Sequence, residues 1–428
     1  MIKRFYDLTK YKLATIVSAK LIKETAWSFL AQGSAFIFFI GLNLFLARYL
    51  GPDRFGEWSF FFSILSIVLL VSYLGINASA RKFIAQHNET AELKAVLRSS
   101  VKLRVILSLV FALVMLSLSK PLAVWLDRPS FEVLFYAAAP LVFFASLVEY
   151  LKNAFQGLHR LKYDFYINLS EYGLKLLLAV CFLLILNEII GLVFAFNLAF
   201  IVTTVLGFYF LYRHFYKNRP DSGTDYTRQL LQYSLPLFVI SIGFLIATEI
   251  DTVMIGILST DYEVGIYAVA KQIIIKLPHI ALVISLGTMP LFAKLNQDNK
   301  EYLKALFYRL LKINTVIFGS IIILILAAGW YFIPLIFGAE YKDSVLPLVI
   351  LIPYLIIYSY SIFLSSFLDY RGKARKRAIN LIIALLLNLG LNLVLIPRYG
   401  AVGAAIATSV SYFPYLVLNW LEVRKSFQ

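Results

Sequence analysis

Ala47-Arg-Tyr-Leu-Gly-Pro-Asp-Arg-Phe-Gly56 aligns, with one residue inserted, on Ile255-Gly-Ile-Leu-Ser-Thr-Asp-Tyr-Glu-Val-Gly265. Downstream, Leu93-Lys94-Ala95 falls on Leu303-Lys304-Ala305, Ile167-Asn168-Leu169 on Ile379-Asn380-Leu381, and Gly191 with Ala195 on Gly403 with Ala407. The separation between partners grows by only a few residues along the chain, as two copies of one unit drift apart through small insertions. The predicted organisation is therefore two like lobes, 1–217 and 218–428, joined by the polar linker Lys217-Asn-Arg-Pro-Asp-Ser-Gly-Thr-Asp225.

Composition says what each unit is made of. Of 428 residues, 61% are hydrophobic and 15% charged, more apolar surface than a soluble fold can hide. Windows of about 20 residues, the length that crosses a hydrocarbon core, give candidate spans near 25–48, 56–77, 103–126, 132–155, 165–186, 189–212, 230–258, 263–290, 307–330, 344–368, 376–396 and 401–421. Alternating ten-residue segments of the kind a barrel needs are absent. The expected fold is an all-α integral membrane protein with twelve transmembrane helices. Six spans per copy give both copies the same orientation, related by a pseudo-two-fold axis along the membrane normal.

An even number of spans puts both termini on one side, and basic residues decide which. Most Lys and Arg fall in the N-terminal segment, the even loops and the C-terminus; the odd loops hold Arg48, Arg54, Lys120, Arg128, Lys342 and Arg398. Both termini are thus expected in the cytoplasm of a multi-pass inner-membrane protein. The net charge of +16 is an orientation signal and a match to anionic inner-leaflet lipids, with no nucleic acid expected. Residues 1–23, with Lys3, Arg4, Lys10, Lys12, Lys20 and Lys23, read as a retained basic interfacial helix and lack the apolar core of a secretory signal. Basic amphipathic pieces near 89–102 and 298–312 are expected to lie on the inner leaflet. Cys181, the one cysteine, excludes an intrachain disulfide and lacks a catalytic partner. No histidine pair has metal-ligand spacing, and no metal site is expected. The phosphate cradle G-x-x-x-x-G-K-[ST] is missing.

Four passages carry a resemblance: Ala47 to Gly56 followed by Leu74-Gly75-Ile76; Asp251 to Ala268 with Val264-Gly-Ile-Tyr267; Met289-Pro290-Leu291-Phe292; and Asn388 to Thr408 with Leu395-Ile-Pro-Arg-Tyr-Gly-Ala-Val-Gly-Ala-Ala-Ile-Ala-Thr408. In order and spacing the chain resembles the Wzx-type polysaccharide flippases of the multidrug/oligosaccharidyl-lipid/polysaccharide exporter (MOP) superfamily. The resemblance implies movement of an undecaprenyl-diphosphate-linked oligosaccharide from the inner to the outer leaflet, for O antigen, capsule or a related envelope polysaccharide. It implies alternating access through a central cationic cavity and no covalent chemistry, so the chain is not expected to be an enzyme. A polysaccharide polymerase and a chain-length regulator are the implied partners of an expected monomer.

Charge inside a membrane is costly and therefore a functional candidate, weighed each time against a structural pairing. Lys271 and Lys276 on span eight are expected to bind the diphosphate, with Arg48 and Arg81 at the two faces as further substrate candidates or interface anchors. Span seven brings Glu249 and Asp251 to a depth similar to Lys271, so a Glu249–Lys271 pair either lines the cavity or steadies two helices. Two positions apart, both acids face one side only if the helix breaks, for which Pro236 and Gly243 leave room. Glu171 and Lys175, at i,i+4, read as a structural ion pair. In some relatives spans seven and eleven hold a sodium ion; the corresponding residues are Asp251, Asn388 and Asn392, and with Glu249 they are the candidates for coupling to H+ or Na+. No resident cofactor is expected.

Three alternatives remain at this stage. A multidrug exporter of the same superfamily would want an acidic cleft for organic cations. A peptidoglycan-precursor flippase would be expected to carry two further C-terminal spans. A membrane glycosyltransferase or polymerase would need a large outer loop, and every outer loop here is short.

Overall fold

The computed structural model describes residues 19–278, 280–281, 300–371 and 373–427. Most of the expected 1–23 helix, His279 and Met289-Pro290-Leu291-Phe292 lie outside the described residues. Within them every regular element is helical: α1 (Ala19–Tyr73), α2 (Ile76–His87), α3 (Leu93–Trp125), α4 (Phe131–Gly157), α5 (Leu161–Leu186), α6 (Ile189–Leu211), α7 (Thr227–Leu258), α8 (Asp261–Lys276), α9 (Lys300–Phe337), α10 (Val345–Ile350), α11 (Ile352–Tyr370) and α12 (Ala374–Phe427).

Eight of the described helices are long and apolar enough to cross a membrane. The apolar stretches of α1 and α12 run for 48 and 51 residues, about 72–77 Å at 1.5 Å per residue and over twice the hydrocarbon thickness. Each is long enough to cross twice, and each bends at a glycine with non-helical dihedrals, Gly51 and Gly400. The α12 bend falls where the repeat puts the α5–α6 break at Asn187. Gly400 has φ +52, and Glu263 accepts a hydrogen bond from the Ala401 N–H at 2.7 Å. The carboxylate thus caps the restarted helix, where an anion is favoured.

The chain packs as two compact units, one of residues 1–45 and 65–245, the other of 46–64 and 246–428. In the first unit α4 and α6 form the interior, with 61% of their apolar windows buried, against 28% and 22% for α3 and α5. In the second α11 takes the interior place at 61%, and α9, at 17%, shows its apolar surface outward. Large exposed side chains such as Val124, Trp125, Ile323 and Trp330 are what lipid-facing helices require.

One expectation about the polar parts changes. The basic stretches near 89–102 and 298–312 are, from Leu93 and from Lys300, the first turns of the long helices α3 and α9. At 33 residues α3 is about 50 Å long, so its basic end runs on past the hydrocarbon layer. The short amphipathic helix is α2, which follows a left-handed turn at Leu74 and Gly75; it buries Ile76, Ala80 and Ile84 and exposes Arg81. The polar linker is pinned to the first unit: Lys94 donates to the Arg219 carbonyl at 3.1 Å, Arg98 pairs with Asp221 at 2.5 Å, and Ser222 donates to Glu92 at 2.7 Å.

Candidate functional site: a buried carboxylate in the second unit

Helix α7 runs unbroken through Glu249, Asp251 and Thr252, and the two acids find different partners without a break. Helix α8 starts at Thr260, whose side chain accepts from the Glu263 N–H, as an N-cap should. Its i,i+4 pair Tyr267 and Lys271 therefore shares one face. From α12 come Asn388 and Asn392, also i,i+4, and after the Gly400 bend Thr408.

These elements converge on Asp251, which is 4% exposed. Its Oδ1 accepts from Asn392 Nδ2 at 2.7 Å; its Oδ2 accepts from Thr408 Oγ1 at 2.6 Å and from the Tyr267 hydroxyl at 2.8 Å. Asn388 bonds both neighbours, accepting from Asn392 Nδ2 at 3.1 Å and donating to Thr408 Oγ1 at 3.4 Å. Every bond the structure gives Asp251 thus comes from a neutral donor. Hydrogen bonds to a charged group contribute about 1.5–3 kcal/mol each, which offsets much of the cost of burying the carboxylate without removing its pull on a cation.

Beside it lies a cavity of about 20 Å³ lined by Thr248, Asp251, Tyr267, Lys271, Tyr354 and Thr408, among others, room for one water-sized body. Asn392 Oδ1 is buried and nothing among the described residues donates to it. The Asp251 carboxylate and the Thr408 hydroxyl line the cavity, and the orphan amide oxygen belongs to a residue bonded to Asp251; these are oxygen donors of the kind a hard cation takes.

Lys271 is at this cavity but bonded elsewhere: its Nζ lies 2.9 Å from Glu249 Oε2 and 2.8 Å from Thr252 Oγ1. Ser63 donates to the same Glu249 oxygen at 2.9 Å. Sequence reading brought Glu249 to Lys271 and Asp251 to the two asparagines. It passed over Tyr267, Thr408 and Ser63 as ligands, although Tyr267 and Thr408 sit in the quoted motifs. Lys276, in the last turn of α8, is half-buried and outside the cavity lining. Arg48 donates to the Leu335 carbonyl, and Arg81 to Gln156 Oε1 at 3.1 Å; neither reaches Asp251.

The first unit holds a second buried cluster. Glu171 pairs with Lys175 as the spacing predicts, at 2.5 Å, and also with Lys152 of α4 at 2.5 Å. Lys152 lies 3.9 Å from Glu149, and Lys175 stands 4.0 Å above the Phe200 ring centroid. Among the described residues no group of three or more His, Cys, Asp or Glu could hold a metal ion.

Comparison with known proteins places this architecture. An uncharacterized membrane protein of Methanocaldococcus jannaschii is 26% identical over 416 residues, 92% of this chain and 95% of that protein. A probable low-salt glycan biosynthesis flippase of Haloferax volcanii, Agl15, is 27% identical over 202 residues, 45% of this chain and 41% of its own length. Among solved structures, a multidrug resistance MATE family transporter of the MOP superfamily in an inward-facing conformation superposes with a TM-score of 0.75 at 18% identity, covering 92% of this chain and 94% of that one. The lipid II flippase MurJ in an inward closed conformation gives 0.73 at 16%, covering 95% and 89%. These two share the fold. Since residues 21–296 match the polysaccharide biosynthesis protein family, well over half its length, the chain belongs to that family and is built on the two-lobed, all-helical MOP fold.

Proposed function

We propose that the protein is a flippase that carries a polyprenyl-diphosphate-linked oligosaccharide across the cytoplasmic membrane for assembly of a surface polysaccharide. The observation that carries this reading is the family match over residues 21–296 on a fold that transporters share. Lys276 supplies positive charge for a diphosphate, which bare hydrocarbon would exclude, on the same helix as Lys271, whose charge is shared with Glu249. Both termini face the cytoplasm, the basic cytoplasmic ends meet anionic lipid, and the chain acts as a monomer beside a polymerase and a chain-length regulator. O antigen and capsule are the candidate end products.

The cargo gradient alone does not drive transport in this reading; an ion does. Asp251, Asn392, Asn388 and Thr408 would hold it, and their oxygen set suits Na+, with H+ on the Asp251 carboxylate as the other choice. Bound there, the ion neutralises Asp251 and ties α7 to both arms of α12.

The test is reconstitution of the full chain in vesicles with a fluorescent polyprenyl-diphosphate oligosaccharide. Loss of the label's protection from an impermeant quencher, with the covalent structure intact, is the expected result. Unchanged sidedness, or cleavage or extension of the sugar, would remove the flippase reading.

A further inference from the structure

The Asp251 cavity has a cation at its edge that is not bound to Asp251. Lys271 lines the cavity, yet its ammonium is held by Glu249 and by Thr252, the residue next to Asp251. The two carboxylates differ in exposure: the Glu249 side chain is 24% exposed, and Asp251 is 4% exposed. Attraction between charges is stronger in a more enclosed, low-dielectric place, so the buried acid is the stronger attractor of a cation. The lysine stem is flexible and its head is a compact point charge. Rotation about its torsions would carry the ammonium toward the small cavity that Asp251 also lines. Ser63, donating to the same Glu249 oxygen that Lys271 uses, helps hold that acid in place.

We infer that Lys271 is a tethered rival of the coupling cation: Glu249 holds its ammonium away from Asp251, and when that hold is lost the lysine occupies the ion's place. The inference rests on the reading of Asp251 as the coupling-ion site. It assigns Glu249 the part of a positioning residue, acting on the ion site only through Lys271. It also explains why a membrane-embedded acid–base pair sits beside a second acid whose bonding partners, among the described residues, are all neutral: a lysine bound directly to Asp251 would leave no place for an exchangeable ion.

The experiment compares the full-length protein in detergent with Asp251→Asn, Glu249→Gln, Lys271→Met and the double variant Glu249→Gln/Lys271→Met. The readout is the thermal midpoint as Na+ replaces choline at constant ionic strength, since a ligand that binds the folded state raises it. The wild type is expected to respond and Asp251→Asn to stay flat. If the freed lysine holds the site about nine-tenths of the time, Glu249→Gln needs about tenfold more Na+ for half the effect. Lys271→Met responds at least as readily as the wild type, and the double variant matches Lys271→Met. A Glu249→Gln titration that overlays the wild type, or a double variant as insensitive as Glu249→Gln, overturns the rivalry while leaving the ion site standing. A wild type that ignores Na+, or an Asp251→Asn variant that responds like it, sinks the ion reading of Asp251 and the rivalry with it. If Glu249→Gln folds poorly, Glu249→Asp, which keeps the charge but draws the carboxylate back by one methylene, takes its place: a titration shifted to higher Na+ that Lys271→Met reverses supports the rivalry, and one that overlays the wild type overturns it.

Discussion

Glu171 is the residue on which the first unit's charge balance turns. Its side chain is 6% exposed and meets two lysines that are themselves 10% and 9% exposed. Removing one partner of a buried pair leaves an uncompensated charge, at about 3–5 kcal/mol. Glu171→Gln would strand both Lys152 and Lys175, with only Glu149, 3.9 Å from Lys152, to answer them. Lys152→Met would leave Glu171 its bond to Lys175. The expected order of destabilisation is therefore Glu171→Gln well above Lys152→Met, measured as thermal midpoints in detergent; equal losses would mean that the cluster is not shared. The i,i+4 spacing made Glu171 and Lys175 legible in the sequence. Lys152 was not, because near the inner end of its span a lysine is indistinguishable from one that reaches out to water. Asp251 with Asn388 and Asn392 was legible by resemblance, whereas a tyrosine or threonine becomes a ligand only when the packing of α8 and α12 aims its hydroxyl, as for Tyr267 and Thr408.

At the scale of elements, α7 depends on the linker before it. Asp225 accepts from the Thr227 N–H at 2.9 Å, the Thr227 hydroxyl at 2.6 Å and Ser99 at 3.2 Å, capping α7 and tying it to α3. The Thr227 hydroxyl bond, followed by that helix's amide, holds the Asp225 carboxyl below its usual range. A depressed carboxyl pKa stabilises the fold above the unfolded value, near 3.9, and the contribution is lost as pH falls through the lower folded value. The midpoint difference between wild type and Asp225→Asn should thus be constant from neutral pH down to about 4 and shrink below it. A difference that persists in acid would show that the carboxylate's charge is not what the cap uses. The linker's polarity marked it in the sequence as a connection between spans. That α3 starts at Leu93 and that Arg98 grips Asp221 did not show, because a basic amphipathic run has the same periodicity whether it lies on a membrane or extends a membrane helix beyond it.

For the whole molecule, the repeat that organised the sequence is also a contact. A Cβ on Gly56 would fall 1.7 Å from the Asp261 carbonyl oxygen, and one on Gly265 would fall 2.1 Å from that of Pro52. The two aligned glycines, both in the second unit, therefore let the same turn of each copy rest its backbone on the other. The self-similarity was readable because each copy needs a glycine at that position. What the sequence did not disclose is that the copies touch there, since alignment reports likeness and not proximity. Either Gly56→Ala or Gly265→Ala must push the turns apart, and once one has done so the second methyl enters space already opened. The double variant should accordingly lose much less stability than the two single losses added, a coupling expected of sites in direct contact. Thermal midpoints of the four proteins measure it. Strict additivity would mean that the turns yield independently, leaving the shared backbone contact without the energetic role that its geometry gives it.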